Sequence, residues 1–590
     1  MIERINLLTI SLIGLFTNLF INPQRLAIKQ KIRVHIDSNR YGGVTQKGKS
    51  NWVWGENQPG AILLANHDGD PNEHVPNTKS RSELSELRID PIPSDLTSDN
   101  QKLHIYATEN AAKRFSIYKE NCSGDLELVL GYDPTGKNEP LSLSPALSLD
   151  GEKLYVEANQ LPNAYFDGLI TLEIQIVNHD TKVIKEAEQV VFRVAPWIMT
   201  PNTQRPLKVF TVRLTDEHGH ETNGKFLSDL LRACNSLNIP LQIIEGSDYK
   251  GDHWIQDEIE FGYCQGAGHS IPVVFDGPRN RGLDSFPEDE LLASDFGHFQ
   301  IEGEQVNSRE EYNSLDGFGN LEVSPPVVVN GRNYPFGRIV FGGKKFADYG
   351  DGDRQMMPEI RRFLYAQKVQ SPIEVFSDWL AVGHVDEFLN FIPDSSKKGF
   401  KLMLASTKKC INKLNELKRD GYGAVNMFVG RKKGKHDSDI SAEISIDDFL
   451  ADKPLIAFNA QCQRNIDLNR EVLKQELGLN DSDIIEAPVL FKPYNKEERA
   501  AAYFPDMVNH LVLNNHSLVP KPYGPLKDGK DVFEEMMIDC LPNGHKAIFI
   551  EDWYSYHQEF GEVHCGTNTL RQFFTNRNWW DTMPDGGFNI

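Results

Sequence analysis

Between residues 30 and about 200, apolar residues come in short runs that suit strands better than helices. IRVHI (32–36), GAILLAN (60–66), KLHIYA (102–107), LELVLG (126–131), KLYVEA (153–158), LITLEIQIV (169–177) and VVFRVA (190–195) are rich in β-branched residues. Turn residues such as Asp133-Pro134 and Asn178-His179-Asp180 separate them. Strand-like segments at this spacing predict a β-sandwich over 30–200, of immunoglobulin-like type. The polar, acidic stretch from Asp68 to Asp99 reads as a long loop with little regular structure.

Beyond the junction PWIMTPNTQRP (196–206) the period changes. Strand-like LKVFTVRL (207–214) is followed by FLSDLLRACNSL (226–237), whose apolar residues recur at helical spacing, and LNREVLKQELGL (468–479) shows the same spacing and ends near Asp481. Alternation of this kind predicts an α/β catalytic domain over 205–590. Nearly 400 residues is large for one core, so repeated βαβ-type units are expected, although no repeat is visible in the residues themselves. The fold class is therefore α+β multidomain, a sandwich followed by an α/β domain.

The apolar run from Leu7 to Ile21 follows Arg4, is interrupted by Thr9, Ser11, Thr17 and Asn18, and is short for a membrane span. Glu3 offsets Arg4, and no small-x-small cleavage site stands between Phe20 and Gln24. Residues 1–29 thus read as an apolar leader, signal-like or anchoring. The expected location is cytoplasmic, with export or membrane anchoring left open by the 7–21 run.

Charge narrows the partners. With 62 Lys+Arg against 84 Asp+Glu, the net charge of −22 argues against nucleic acid. It suits a cationic partner or divalent ions, or an acidic surface that is merely solvated. Seven cysteines, an odd number without a Cys-x-x-Cys pair, indicate neither a disulfide scaffold nor a structural zinc site.

Three segments concentrate functional groups. In WIQDEIEFGY (254–263), strand alternation would line Gln256, Glu258 and Glu260 along one face and turn Asp257 to the other with Ile259 and Phe261. The alternative is a half-exposed edge strand with its acids in solvent. In SDWLAVGHVDEF (377–388), His384 and Asp386 would share one side of a strand, an arrangement that is also common in structural His–Asp pairs. In GEVHCGTN (561–568), Cys565 lies between His564 and Gly566, a candidate nucleophile or a small buried hydrophobe.

Together with VVFDGPRNRGLDSFP (273–287), GFGNLEVSPPVVVNG (317–331) and VAPWIMTPNTQ (194–204), these segments closely resemble peptidylarginine deiminases, from about residue 32 to the C-terminus. The resemblance implies an immunoglobulin-like middle domain followed by an α/β propeller (pentein). The family's first N-terminal domain is expected to be absent, with the apolar leader in its place. The implied activity is calcium-dependent hydrolysis of arginine side chains in proteins or peptides to citrulline and ammonia. The family's catalytic residues fall on Asp257, His384, Asp386 and Cys565. A guanidinium is planar and permanently charged, so two carboxylates can grip its nitrogens while a thiolate attacks the central carbon. His384 would protonate the departing ammonia and then activate water. A free thiol titrates near ~8.5, so the substrate cation or a protonated His384 must help form the thiolate. Trp254 would pack on the substrate's aliphatic stem, and Arg281, with Arg279, would bind the substrate backbone. Glu559 replaces an arginine that the family often carries at the site mouth.

The resemblance also implies several Ca2+ ions. One would use Gln256, Glu260 and Glu322 with the carbonyls of Phe318 and Leu321. A second would use Glu258, Asp276 and Asn280, with the carbonyl of Gly277 on offer. Both would lie behind the strand bearing Asp257 and bring that residue into register. Asn66, Asp68 and Asp70, with Glu83, Glu86 and Asp295, match further ligands in the sandwich. Asp37 and Asn39 begin another calcium loop, in which Tyr41 replaces an expected acid, so that site is expected to be lost. The competing readings are a free-arginine or agmatine deiminase or an amidinotransferase on the same propeller, or an inert calcium-binding surface protein.

Overall fold

The computed structural model describes residues 32–584, apart from 66, 68–79, 98–99, 134–137, 280, 302–311, 346–353, 435–438 and 495–498. The apolar leader at 1–29 lies outside the described residues, as do Asn66, Asp68, Asp70 and Asn280. No helix among the described residues is long and apolar enough to cross a membrane.

The N-terminal part forms two sheets. One runs in the order Val34–Ile36, Ser85–Ile89, Glu152–Ala158, Phe115–Glu120, Leu126–Gly131, with every pairing antiparallel. The other runs Ala61–Leu63, Ile184–Val194, Leu169–Asn178, Gln101–Tyr106. Alternation explains what lies between them. Ile170, Leu172, Ile174 and Ile176 are fully buried, whereas Leu169, Thr171 and Glu173 are exposed. Burying each such side chain contributes about 1.5–3 kcal/mol. All seven predicted strands are present, six of them with shifted ends. Two more were missed. Phe115–Glu120 is buried on both faces at its start and so does not alternate. Ser85–Ile89 lies inside the stretch expected to be a loop, which is a correction: Leu87 and Ile89 are buried and pair with both neighbouring strands.

The junction is not a linker. Trp197–Met199 is a short buried strand paired with Ile259–Gln265. The Trp197 indole donates to the Val273 carbonyl at 2.9 Å, and the Gln367 and Gln370 side chains accept from the Trp197 and Met199 amides at 3.0 and 2.8 Å. One hydrophobic cluster continues from the two N-terminal sheets through Trp197 into Phe275, Phe336 and Trp579.

Beyond it, one motif recurs five times among the described residues: two antiparallel strands, then a helical crossover, then a third strand parallel to the second. The units are Thr567–Arg571/Pro206–Arg213/Leu241–Glu245, Ile259–Gln265/Ser270–Asp276/Gly297–Gln300, Leu321–Val323/Ile339–Gly342/Ile373–Val375, Leu389–Pro393/Phe400–Ser406/Ile484–Pro488 and Leu511–Leu513/His516–Pro520/Lys546–Ile550. The expected repetition is thus present in backbone topology. Helix Gly224–Leu237 buries Phe226, Leu227, Leu230, Ala233 and Cys234, one stripe at helical spacing, and ends at Asn238 in the left-handed region. Helix Lys453–Leu477 is capped by Asp452 and stopped by Gly478 at φ 62°. The first unit takes its antiparallel partner from far along the chain, and Cys565 stands two residues before that strand.

Candidate active site

Asp257, His384, Asp386 and Cys565 come from three separate chain segments; the first three meet at Gly319, and Cys565 stands beside Asp386. A Cβ built on Gly319 would lie 2.4 Å from His384 Nδ1, 3.1 Å from Asp257 Oδ1 and 3.1 Å from Asp386 Oδ2. Cys565 Sγ is 3.7 Å from Asp386 Oδ2 and 3.3 Å from Asn509 Nδ2.

Local structure differs from the strand readings in two places. Ile255–Glu258 is a single helical turn, and the strand begins only at Ile259, so strand alternation does not set the facing of Gln256, Asp257 and Glu258. The Gln256 amide donates to the Cys565 carbonyl at 3.3 Å, which ties this turn to the nucleophile's loop. Likewise Val385–Glu387 is a 3-10 turn with His384 at its start. Glu387 Oε1 accepts from the Gly383 and His384 amides, both at 2.9 Å, and fixes the backbone there. His384 Nε2 lies 2.6 Å from the Ser314 carbonyl, which can only accept, so Nε2 carries the hydrogen. Nδ1 is left free for proton transfer, 3.5 Å from Asp257 Oδ1.

Asp257 Oδ1, Asp386 Oδ1 and His384 Nδ1 are buried without hydrogen-bond partners. Orphaned acceptors at this density are costly and call for a donor-rich guest. Burial, then the charges of Asp386 and Asp257, push the Cys565 thiol well above its ordinary range. A cation placed between those carboxylates would reverse the electrostatic part of that shift. Burial works against a charge on His564, but its bond to Asp386 at 2.9 Å and the nearby Glu322 outweigh it and raise its pKa. Trp254 closes the other wall, since a Cβ on Gly561 would lie 2.2 Å from its ring and 3.1 Å from Cys565 Cβ.

Arg281 is exposed. Arg279 lies deeper. Its side chain is buried and turned inward, with Nη1 2.8 Å from Glu258 Oε2, 3.6 Å from Asp252 Oδ2 and 3.2 Å from the Trp254 carbonyl. Burial opposes its charge, but Asp257, Asp252 and Glu258 prevail and raise its pKa. It is a counter-ion to the carboxylates in this geometry.

Two carboxylate groups lie behind the catalytic cluster. Gln256, Glu260, Leu321 and Glu322 line an enclosed cavity of ≈ 30 Å³. Gln256 Nε2 donates there to Glu260 Oε2 at 2.9 Å and the Phe318 carbonyl at 3.3 Å. Burial together with mutual repulsion pushes Glu260 up to about 8, and burial foremost pushes Glu322 up to about 7. In the second group Glu258 Oε1 and Asp276 Oδ1 are buried and unpartnered, and Gly277 lies close enough to the Glu258 backbone that a Cβ would be 2.9 Å from its carbonyl. Both oxygen-rich groups fit a hard divalent cation. A third group joins Glu83, His269 and Asp295, with ligand atoms within 4.8 Å of one another. Glu86 lies outside it and pairs with Lys153 at 3.2 Å. The Asp37 carboxylate is taken up by the Tyr41 and Gly42 amides.

Residues 184–581 match the family model described as protein-arginine deiminase (PAD), and residues 31–178 match the PAD middle domain. The chain belongs to the protein-arginine deiminase family. Among its relatives, protein-arginine deiminase type-1 of Mus musculus is 41% identical over 572 residues, which is 94% of this chain and 82% of that protein. Type-4 of Homo sapiens is 39% identical over 559 residues, 91% and 80% of the two chains. A solved agmatine deiminase of C. jejuni superposes with a TM-score of 0.36 at 12% identity, over 65% of this chain and 98% of that one.

In this deiminase three participants escape a reading of the residues alone. Asn509 holds Cys565 at both ends, its Oδ1 accepting from the Cys565 amide at 3.3 Å and its Nδ2 facing the sulfur. His564 bridges Asp386 to Glu322, at 2.9 and 3.6 Å. Gly319 carries no chemical group and is defined by the space it leaves. At the mouth, Glu559 is half-exposed and lies 3.7 Å from His253 Nε2.

Proposed function

We propose that this enzyme hydrolyses the guanidino group of arginine residues within proteins or peptides to citrulline, with release of ammonia. The observation that carries the reading is the set of unpartnered acceptors Asp257 Oδ1, Asp386 Oδ1 and His384 Nδ1, on three side chains that converge at Gly319, with the Asp386 carboxylate 3.7 Å from the Cys565 sulfur. A guanidinium offers five donors and one charge to such a set. Asp257 and Asp386 hold its nitrogens and its charge favours the thiolate. The thiol proton passes to His384 Nδ1 and the sulfur attacks the central carbon. The tetrahedral adduct breaks its C–N bond as His384 returns that proton to the departing nitrogen, leaving a thiouronium on Cys565. Water then gives a proton to His384, adds to the carbon and displaces the sulfur, yielding citrulline. Trp254 walls the aliphatic stem, and Arg281 stands at the exposed edge to meet the backbone.

Calcium is the metal we assign to the Gln256–Glu260–Glu322 and Glu258–Asp276 groups, with the carbonyls of Phe318, Leu321 and Gly277. Hard oxygen donors without thiolates support that choice. When bound, it would supply positive charge to carboxylates that burial otherwise pushes toward protonation. The Glu83–His269–Asp295 group is a further candidate. The architecture we assign is an immunoglobulin-like sandwich over 30–200 and an α/β propeller (pentein) over 205–590, supported by the two sheets and the five repeated units. The enzyme acts on arginine-containing proteins or peptides, and a cytoplasmic location is part of the reading.

The test is citrulline formation from a peptidyl arginine and from free arginine, with calcium and with chelator, alongside Cys565→Ser. Turnover of the peptidyl substrate that depends on calcium and on Cys565 is expected. Turnover of free arginine alone, or full turnover in chelator, would overturn the reading.

A further inference from the structure

A second cavity touches Cys565, on a side that Asp257 and His384 do not line. It is small, ≈ 20 Å³, enough for one water-sized guest. Ala381, Val382, Ala501, Ala502 and Phe560 give it apolar walls, and its polar lining is Cys565, Asn509, Glu387, Asp506, Glu562 and His557. No lysine or arginine lines it among the described residues. Asp506, Glu562 and His557 are each at least nine-tenths buried, with relative exposures of 2%, 3% and 4%. Asp506 Oδ2 and His557 Nε2 have no hydrogen-bond partner, while Glu562 also meets the buried Asp552 carboxyl. The other atoms are engaged. Asp506 Oδ1 accepts from the Val508 amide at 2.9 Å, and Glu562 Oε1 lies 2.7 Å from His557 Nδ1. With Nδ1–H donating to Glu562, the Nε2 lone pair is presented as a further acceptor.

Buried polar atoms left open in such a space are costly unless a guest satisfies them. Water brings two donors, whereas ammonium is of similar size, brings four and is charged. The deimination proposed above releases that nitrogen from a carbon bonded to the Cys565 sulfur, which forms part of this cavity's wall. We infer that the Asp506–Glu562–His557 chamber is an ammonium site that receives the leaving group, so that the nitrogen departs away from the peptide-binding mouth. Burial holds the Asp506 carboxyl well above the ordinary carboxylate range, so ammonia entering beside it takes the carboxyl proton and becomes ammonium against the carboxylate left behind, with no other reactant. The inference rests on the deimination reading. It implies selective product inhibition, because a filled chamber blocks departure of the next nitrogen.

The experiment follows citrulline, whose detection is blind to added ammonium, with a peptidyl arginine substrate and saturating calcium. Ammonium, potassium, sodium and tetramethylammonium chlorides are compared at equal ionic strength. Ammonium should inhibit selectively, and Asp506→Asn should raise its half-inhibiting concentration about tenfold or more, the loss of one charge-assisted hydrogen bond. Equal inhibition by all four salts in the unsubstituted enzyme overturns the inference whether or not the variant folds. So does unchanged ammonium selectivity in a folded Asp506→Asn. An enzyme that makes no citrulline in any salt defeats the deimination reading and the chamber with it.

Discussion

Gly319→Ala replaces a hydrogen with a methyl group at the point where the catalytic groups converge. The new Cβ would stand 2.4 Å from His384 Nδ1, where ordinary contact begins at 3.4 Å, so something must yield by about 1 Å. The ring cannot retreat freely, since Nε2 is held on the Ser314 carbonyl at 2.6 Å and Glu387 pins the His384 amide. Asp257 and Asp386, both 3.1 Å from the same point, also lie inside comfortable contact. A displacement of about 1 Å in a positioned catalytic group costs on the order of 10²-fold in rate. That is about 2.7 kcal/mol of barrier. The assay is citrulline formation from a peptidyl arginine, with kcat and KM separated and thermal unfolding recorded on the same samples. Gly268→Ala is the control, because a Cβ there meets nothing within 4 Å. A folded Gly319→Ala with kcat within about twofold of the parent would refute the convergence on which the mechanism depends.

Alkylation of Cys565 by iodoacetamide should be slow near neutral pH and rise only well above the ordinary thiol range, because burial and the two acids oppose the thiolate. Asp386→Asn removes one opposing charge and should shift the alkylation profile to lower pH while abolishing turnover; an unshifted profile would contradict this. Arg279→Gln leaves Glu258 and Asp252 without their buried counter-ion, and breaking such a pair costs about 3–5 kcal/mol, so its melting temperature in chelator should fall sharply and recover in part with calcium. Equal melting of parent and variant in chelator would rule out the counter-ion role. In chelator, stability should fall as pH rises toward 8. Glu260 and Glu322 have folded pKa values of about 8 and about 7, above the ordinary 4.5, so the unfolded chain binds fewer protons in that window. Glu322→Gln should flatten that slope in a melting series. Ile174→Ala, between the two sheets, should cost about 2–5 kcal/mol in urea unfolding, with secondary structure otherwise retained.

Much of the fold was legible because its elements obey one period each. Leu126–Gly131 falls on the predicted strand residue for residue, and Phe226–Leu237 lies within a helix whose buried stripe is the one that its apolar spacing marks. Alternation failed where the backbone changes state within a few residues. At 254–260 one helical turn precedes the strand, and period-two counting cannot register a turn of four residues. Ser85–Ile89 hid in a polar stretch because only two of its side chains are fully buried. The residues of the catalytic cluster were named on resemblance, while their mutual distances come from long-range topology. Asn509 sits in the apolar run VNHLVL, where an amide reads as an interruption, although its contacts with Cys565 cross 56 residues. Arg279 was named with Arg281 on resemblance, while its burial beside Glu258 reflects a charge balance between segments far apart in the chain.

The pairing of Thr567–Arg571 with Pro206–Arg213 has a consequence for biosynthesis. During translation the two acids and the imidazole emerge well before the sulfur, and the loop that carries it is seated only when its following strand docks onto one made some 350 residues earlier. A nascent chain therefore holds a disarmed pocket through most of its elongation, and the nucleophile is seated only once the last strand reaches the first unit.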